Sequence, residues 1–142
     1  MGITVDIRAE LKPSVVADVR ALPFPNESFD WIMADPPYAE SYAEQLYGTG
    51  SVYPRPGQIL AEAARVLRPG GRFGLLHYVA PMPRAKWKIR LVAVYGCWLG
   101  TNMAIRAWSV YEKFAPQLPW GSSPRSRRSV RERGVDVAPV QA

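Results

Sequence analysis

A chain of 142 residues, 48% apolar and 21% charged, is long enough for one domain with a buried core and too apolar for a disordered polyelectrolyte. Its single cysteine, Cys97, excludes an internal disulfide and fits a reducing, cytoplasmic setting; no basic-then-apolar leader opens the chain, and its longest apolar stretch, Leu91 to Ile105, is broken by Gly96, Gly100, Thr101 and Asn102 and is too short to span a bilayer. The net charge of +6 is uneven: residues 1–82 carry seven Lys/Arg against nine Asp/Glu, and residues 83–142 carry eleven against three, which fits either a polyanionic partner or a solvated basic tail.

In chain order, "ITVDI" (Ile3–Ile7) and "SVVADV" (Ser14–Val19) are short β-branched runs that predict buried strands. The residues between them are too few for a crossover helix. "LPFPNES" (Leu22–Ser28) is turn chemistry, and "FDWIMA" (Phe29–Ala34) reads as a strand apolar on both faces, as in a covered parallel sheet. A long loop follows from Ala39 to Pro56, with a short helix expected near Glu40–Tyr47. "GQILAEAARVLRPGG" predicts a helix, with Ile59, Leu60, Ala63, Val66 and Leu67 at helical spacing and Pro69-Gly70-Gly71 as its stop. "RFGLLHYV" (Arg72–Val79) is a further buried strand, completing a parallel crossover unit. "KIRLVAVYGCWLG" and "AIRAWSVYEKF" predict an antiparallel pair at the sheet's end. The expected domain is 1–114; residues 115–142 form a Pro/Ser/Arg-rich tail that composition predicts to be disordered.

The run "FDWIMADPPY" ends a strand on Asp35-Pro36-Pro37-Tyr38. Two prolines forbid the strand from continuing and stiffen the corner, so a carboxylate, a free carbonyl and an aromatic ring are held in fixed positions. Asp6 and Asp18 end the two earlier strands. With "LPFPNESFD" before that corner and "RVLRPGGRFGLL" after it, the chain over residues 2–114 resembles the class I S-adenosylmethionine-dependent methyltransferases, and more narrowly those with a (D/N)PP(Y/F) corner that methylate exocyclic amino groups of DNA or RNA bases.

The resemblance implies an α/β fold with a Rossmann-like, mostly parallel sheet and an antiparallel C-terminal pair. It implies S-adenosylmethionine as cofactor, with Asp6 and Ile7 at its ribose, Asp18 and Val19 at its adenine, and Asp35 beside its methyl group. Asp35, Pro36, Pro37 and Tyr38 become the catalytic corner. An exocyclic amine is a poor nucleophile; the Asp35 carboxylate and the Pro36 carbonyl would each accept one of its N–H bonds and turn its lone pair toward the methyl donor. Tyr38 would offer a face to a flipped base. For each aspartate the plainer reading is a residue capping a turn.

Tyr42, Tyr47, Tyr53 and Arg55 in the following loop suit substrate binding by stacking and phosphate contact, or else pack the loop onto the domain. His77, near the end of its strand, could face the pocket but reads more simply as a satisfied core histidine, and Cys97 reads as buried and inert. Arg125, Arg127, Arg128, Arg131 and Arg133 suit phosphates or solvent equally. No metal site is expected.

The family's first strand, first helix and Gly-rich loop have no counterpart: the chain begins at the second strand, and Gly48 and Gly50 follow no strand. The strands "ITVDI" and "FDWIMA" must then pair directly or leave open edges. Three explanations fit: a truncated reading frame, a partner chain or homo-oligomer completing the sheet, or a reduced relative with weak cofactor binding. The functions to be separated are methyl transfer to a nucleic-acid base, a non-catalytic nucleic-acid-binding relative, and a small-molecule methyltransferase.

Overall fold

The computed structural model describes residues 2–47, 53–98, 100 and 104–115. Phe29–Ala34 forms β3, which pairs in parallel with β4 (Leu67–His77). The strand β4 pairs antiparallel with β6 (Arg106–Lys113), and β6 pairs antiparallel with β5 (Ile89–Cys97), giving a four-stranded sheet in the order β3-β4-β6-β5. The expected antiparallel C-terminal pair is thus present. A separate parallel pair, β1 (Val5–Asp6) and β2 (Val15–Val16), is joined by one turn of 3-10 helix at Ala9–Leu11. Both are shorter than the runs Ile3–Ile7 and Ser14–Val19 suggested.

Helix α1 covers Glu40–Tyr47, as expected, and α2 covers Pro56–Val66. Pro56 occupies the start of α2, where its missing N–H leaves no bond unmade. Just before it, Arg55 is extended; its N–H donates to Gln58 Oε1 at 3.0 Å and its carbonyl accepts the Gln58 N–H at 2.8 Å. The buried stripe Ile59, Leu60, Ala63 and Ala64 packs on Phe73, Leu75 and Tyr111 of the sheet, with Ile32 and Ala34 of β3 partly covered beside it. Tyr111 is fully buried, its hydroxyl donates to the Pro81 carbonyl at 2.8 Å, and burial pushes its phenol up to about 12.

One boundary differs from the sequence reading. "LRPGG" is the front of β4 and not the tail of the helix: Leu67 is extended and buried, and it pairs with Phe29 across a register shift before Trp31 meets Arg72. The Leu67 carbonyl accepts from Lys113 Nζ at 2.7 Å, so pairing and burial override helical periodicity here. On the opposite face of the sheet, Trp108 lies over Gly74, where an added Cβ would overlap the indole.

The two sheets are not hydrogen-bonded to each other among the described residues. The break falls between β1 and β3, where the family's first strand was missed in the sequence. The loop Leu22–Phe24 still ties this region to α2, because Arg65 donates to the carbonyls of Leu22 (2.9 Å) and Phe24 (2.8 Å), and Glu62 accepts the Leu22 N–H at 2.8 Å.

Candidate functional site

A cavity of about 350 Å³ opens between β1–β2 and β3. Its wall includes Asp6 at the end of β1 and Ile7 after it, Asp18 and Val19 after β2, and Asp35, Pro36 and Pro37 after β3. Strands end here because "DPP" cannot extend β3 and because Asp6 and Asp18 turn the chain back onto their own side chains.

Those turns use a pattern the sequence reading passed over. Asp6-Ile7-Arg8 and Asp18-Val19-Arg20 share an Asp-x-Arg spacing, and each arginine folds back on its aspartate. Asp6 Oδ1 accepts from the Arg8 N–H (2.9 Å) and Nε (3.0 Å), and Oδ2 from a terminal guanidinium nitrogen (3.1 Å). Asp18 Oδ1 accepts from the Arg20 N–H (2.8 Å) and Nε (3.0 Å), and Oδ2 from Nε (2.9 Å) and a terminal nitrogen (2.6 Å). The hydrogen bonds from Arg8 and Arg20 hold both carboxyls below the ordinary carboxylate range, with burial opposing. A carboxylate has about four acceptor sites. Arg20 gives Asp18 three N–H donors, with Nε shared between both oxygens, and Asp6 takes three donors from Arg8 and the Ile7 N–H besides, so both carboxylates are largely occupied.

The catalytic corner divides. Asp35, Pro36 and Pro37 face the cavity, while the Tyr38 side chain turns into a neighbouring cluster. The Tyr38 hydroxyl donates to Asp35 Oδ1 at 2.5 Å. Its ring carries the Arg106 guanidinium 4.6 Å from the centroid and meets Tyr78 at 4.8 Å and His77 edge-on at 5.5 Å. Burial first, then the Asp35 bond, raises the Tyr38 phenol well above its usual range. One face of the ring expected to receive a base is thus taken by a cation.

His77 is buried, as read, but not fully satisfied: it is 3% exposed, and burial lowers its imidazole below the usual range against the pull of Asp35. Its Nδ1 accepts the Val79 N–H at 3.2 Å, which leaves the proton on Nε2; that atom and Arg106 Nε are buried without a hydrogen-bond partner. Cys97 is a free thiol, partly rather than fully buried.

Of the described substrate-loop residues, none of Tyr42, Tyr53 and Arg55 lines the cavity. Tyr42 is exposed and hydrogen-bonds Tyr78. Tyr53 donates to the Tyr38 carbonyl at 3.1 Å and so props the corner from behind. Arg55 caps α2 through its backbone. Tyr47 ends α1, but its side chain lies outside the described residues, as do Gly48, Gly50 and the tail arginines Arg125, Arg127, Arg128, Arg131 and Arg133. Among the described residues no cluster of His, Cys, Asp or Glu could hold a metal ion, and no helix is long and apolar enough to cross a membrane. Arg106 and Tyr78 were missed because only strand pairing brings β6 and the end of β4 to the corner; the two Asp-x-Arg repeats were legible.

A mixed α/β sheet with a parallel β3–α2–β4 unit and acidic strand ends converging on one cavity fits a class of nucleotide-cofactor-binding folds. The methyltransferase-domain family profile matches residues 4–75, and the chain belongs to that family. Its fold is the family's Rossmann-like α/β type, interrupted between β1 and β3. No curated protein matches the chain. Similar solved structures include TTHA0409 of Thermus thermophilus, a candidate DNA modification methylase, in complex with S-adenosyl-L-methionine (16% identity, TM-score 0.43, covering 71% of this chain and 55% of that one). A SAM-dependent methyltransferase of Methanosarcina mazei (13%, TM-score 0.43, covering 70% and 66%) and YcgJ of Bacillus subtilis (13%, TM-score 0.40, covering 70% and 69%) are comparably similar. The chain spans about half the length of TTHA0409.

Proposed function

We propose that this chain contributes to S-adenosylmethionine-dependent methyl transfer onto an exocyclic amino group of a nucleic-acid base. The observation that carries the reading is the convergence of Asp6, Asp18 and the rigid Asp35-Pro36-Pro37 corner on one cavity. Asp6 would accept the ribose hydroxyls only as Arg8 yields bonds to it. Asp18 would reach the adenine amino group only as Arg20 yields a bond; Ile7 and Val19 supply apolar walls. The cofactor supplies an electrophilic methyl group on sulfur. Asp35 keeps Oδ2 for one N–H of the substrate amine while Tyr38 holds Oδ1, and the Pro36 carbonyl accepts the other. The lone pair is then aimed by two fixed acceptors, and positioning is the main gain.

The basic excess over residues 83–142 favours a polyanionic substrate, DNA or RNA. A small-molecule amine is the second reading, favoured by Arg106 covering the Tyr38 ring where a base would stack. Calorimetry with S-adenosylmethionine, followed by methyl-transfer assays on DNA, RNA and small amines, tests both. Cofactor binding with nucleic-acid methylation lost in Asp35→Ala supports the first. Absence of cofactor binding sinks the enzymatic reading for this chain and leaves salt-dependent nucleic-acid binding, indifferent to Asp35→Ala, as the alternative.

A further inference from the structure

Among the described residues, half-buried cations are held by carboxylates: Arg8 by Asp6 at 3.0 Å, Arg20 by Asp18 at 2.6 Å, Arg65 by Glu62 at 2.5 Å and Lys113 by Glu27 at 3.3 Å. Arg106 is the exception. It is half-buried, its Nε is buried without a partner, and neither Asp35 nor any other described carboxylate pairs with it. A charge taken part-way out of water without a counter-ion is costly, so the place favours a group of negative sign. Other donors stand around it. The Arg106 guanidinium lies 4.6 Å from the Tyr38 ring centroid, and the same ring meets His77 at 5.5 Å and Tyr78 at 4.8 Å. His77 keeps its proton on Nε2, which is buried and unbonded. The exposed Tyr42 of α1 hydrogen-bonds Tyr78 and feels the Arg106 charge. Buried donors left unbonded in a native fold lack an acceptor, and the Asp35 oxygen nearest this cluster is already taken by the Tyr38 hydroxyl.

We propose that Arg106 heads a subsite for a backbone phosphate of the nucleic-acid substrate, beside the corner that holds its amine. The inference rests on the methyl-transfer reading for what that corner binds. A guanidinium presents paired N–H donors that match two phosphate oxygens at once. The hydroxyls of Tyr42 and Tyr78 and the Nε2 proton of His77 stand on other elements around the same ring. A phosphate has oxygens in several directions to serve donors so placed, whereas a carboxylate offers two in one plane. A phosphate contact sets register and reads no base. Arg106 therefore fixes where the target nucleotide lies, while Asp35 and the Pro36 carbonyl select its amino group. The basic half of the chain, residues 83–142, begins shortly before this strand and adds charge of the same sign.

The test titrates the full chain with inorganic phosphate, with acetate and chloride at equal ionic strength, and with a single-stranded octanucleotide. The Arg106 Nε–H signal is followed by NMR, and octanucleotide affinity is measured against salt. Phosphate should move that signal, and acetate and chloride should not. Arg106→Gln should weaken octanucleotide binding about tenfold and lower the slope of log affinity against log salt by about 0.7, the share of one phosphate contact on a single strand. Arg106→Lys keeps a charge at the same place and should keep the slope, which separates a lost contact from a folding defect. The proposal fails if phosphate leaves the signal unmoved, if acetate or chloride moves it equally, or if Arg106→Gln retains the full slope. It fails too if Arg106→Lys loses the slope as Arg106→Gln does, or if inorganic phosphate binds without any octanucleotide effect, because the site then serves a free phosphate. S-adenosylmethionine binding is measured on the same samples. Its absence with the Arg106 effects intact removes the methyl-transfer reading and leaves the phosphate subsite; its presence without them removes the subsite alone.

Discussion

The Tyr38 hydroxyl donates to Asp35 Oδ1 at 2.5 Å, and Asp35 lines the cavity. One residue of the corner thus orients another, and the two prolines between them fix the spacing. Asp35 is exposed, so without this bond its carboxylate would sample rotamers that do not face the amine.

Tyr38→Phe should therefore lower kcat/KM for methyl transfer about tenfold by loosening Asp35, with cofactor affinity unchanged by calorimetry. Asp35→Ala removes the acceptor itself and should cost about 100-fold or more. A Tyr38→Phe enzyme with full activity would show that the phenol is only structural.

The Asp-x-Arg clamps predict an acid response. Asp6 and Asp18 are lowered below 3.8, so each stabilises the fold fully above that value, and the contribution is lost as pH falls through their lower folded values. Arg8→Ala and Arg20→Ala should return the partner carboxyl toward 3.8 in a carboxyl NMR titration. Asp6→Asn with Asp18→Asn should flatten the acid limb of a stability-versus-pH curve.

Buried His77 adds a second, higher window. Its folded value lies below 6.5, so the unfolded chain takes up the proton first and stability declines as pH drops below about 6.5. His77→Gln should remove that slope in chemical denaturation between neutral and mildly acid pH, leaving the carboxylate limb in place.

Gly74→Ala tests packing on the opposite face. The new methyl would run into Trp108, and the indole sits on a strand that β5 and β4 hold from both sides. A loss of about 1–3 kcal/mol is expected from overpacking, read by denaturant titration.

Arg65→Ala should detach the Leu22–Asn26 loop from α2. It deletes bonds to the Leu22 and Phe24 carbonyls and to Asn26 Oδ1 (3.0 Å), and leaves Glu62, whose carboxyl the Arg65 bond lowers, without its cation. Since Arg65 is partly solvated, about 1–2 kcal/mol is expected, with faster amide exchange confined to that loop.

The sequence by itself determined what neighbours along the chain can enforce. Helical spacing placed α2, alternating and β-branched runs placed the strands, and the paired prolines made Asp35 a strand-end carboxylate. The Asp-x-Arg clamps were equally local and could have been read from "DIR" and "DVR". Tertiary structure alone decided the rest. Pairing with Phe29 and the Lys113 bond drew Leu67 out of the helix into β4, antiparallel pairing of β6 carried Arg106 onto Tyr38, and the unshared edges of β1 and β3 opened the cavity. Those outcomes depend on backbone partners remote in sequence, and a hydrogen-bond partner or its lack leaves no mark on the residue that needs it.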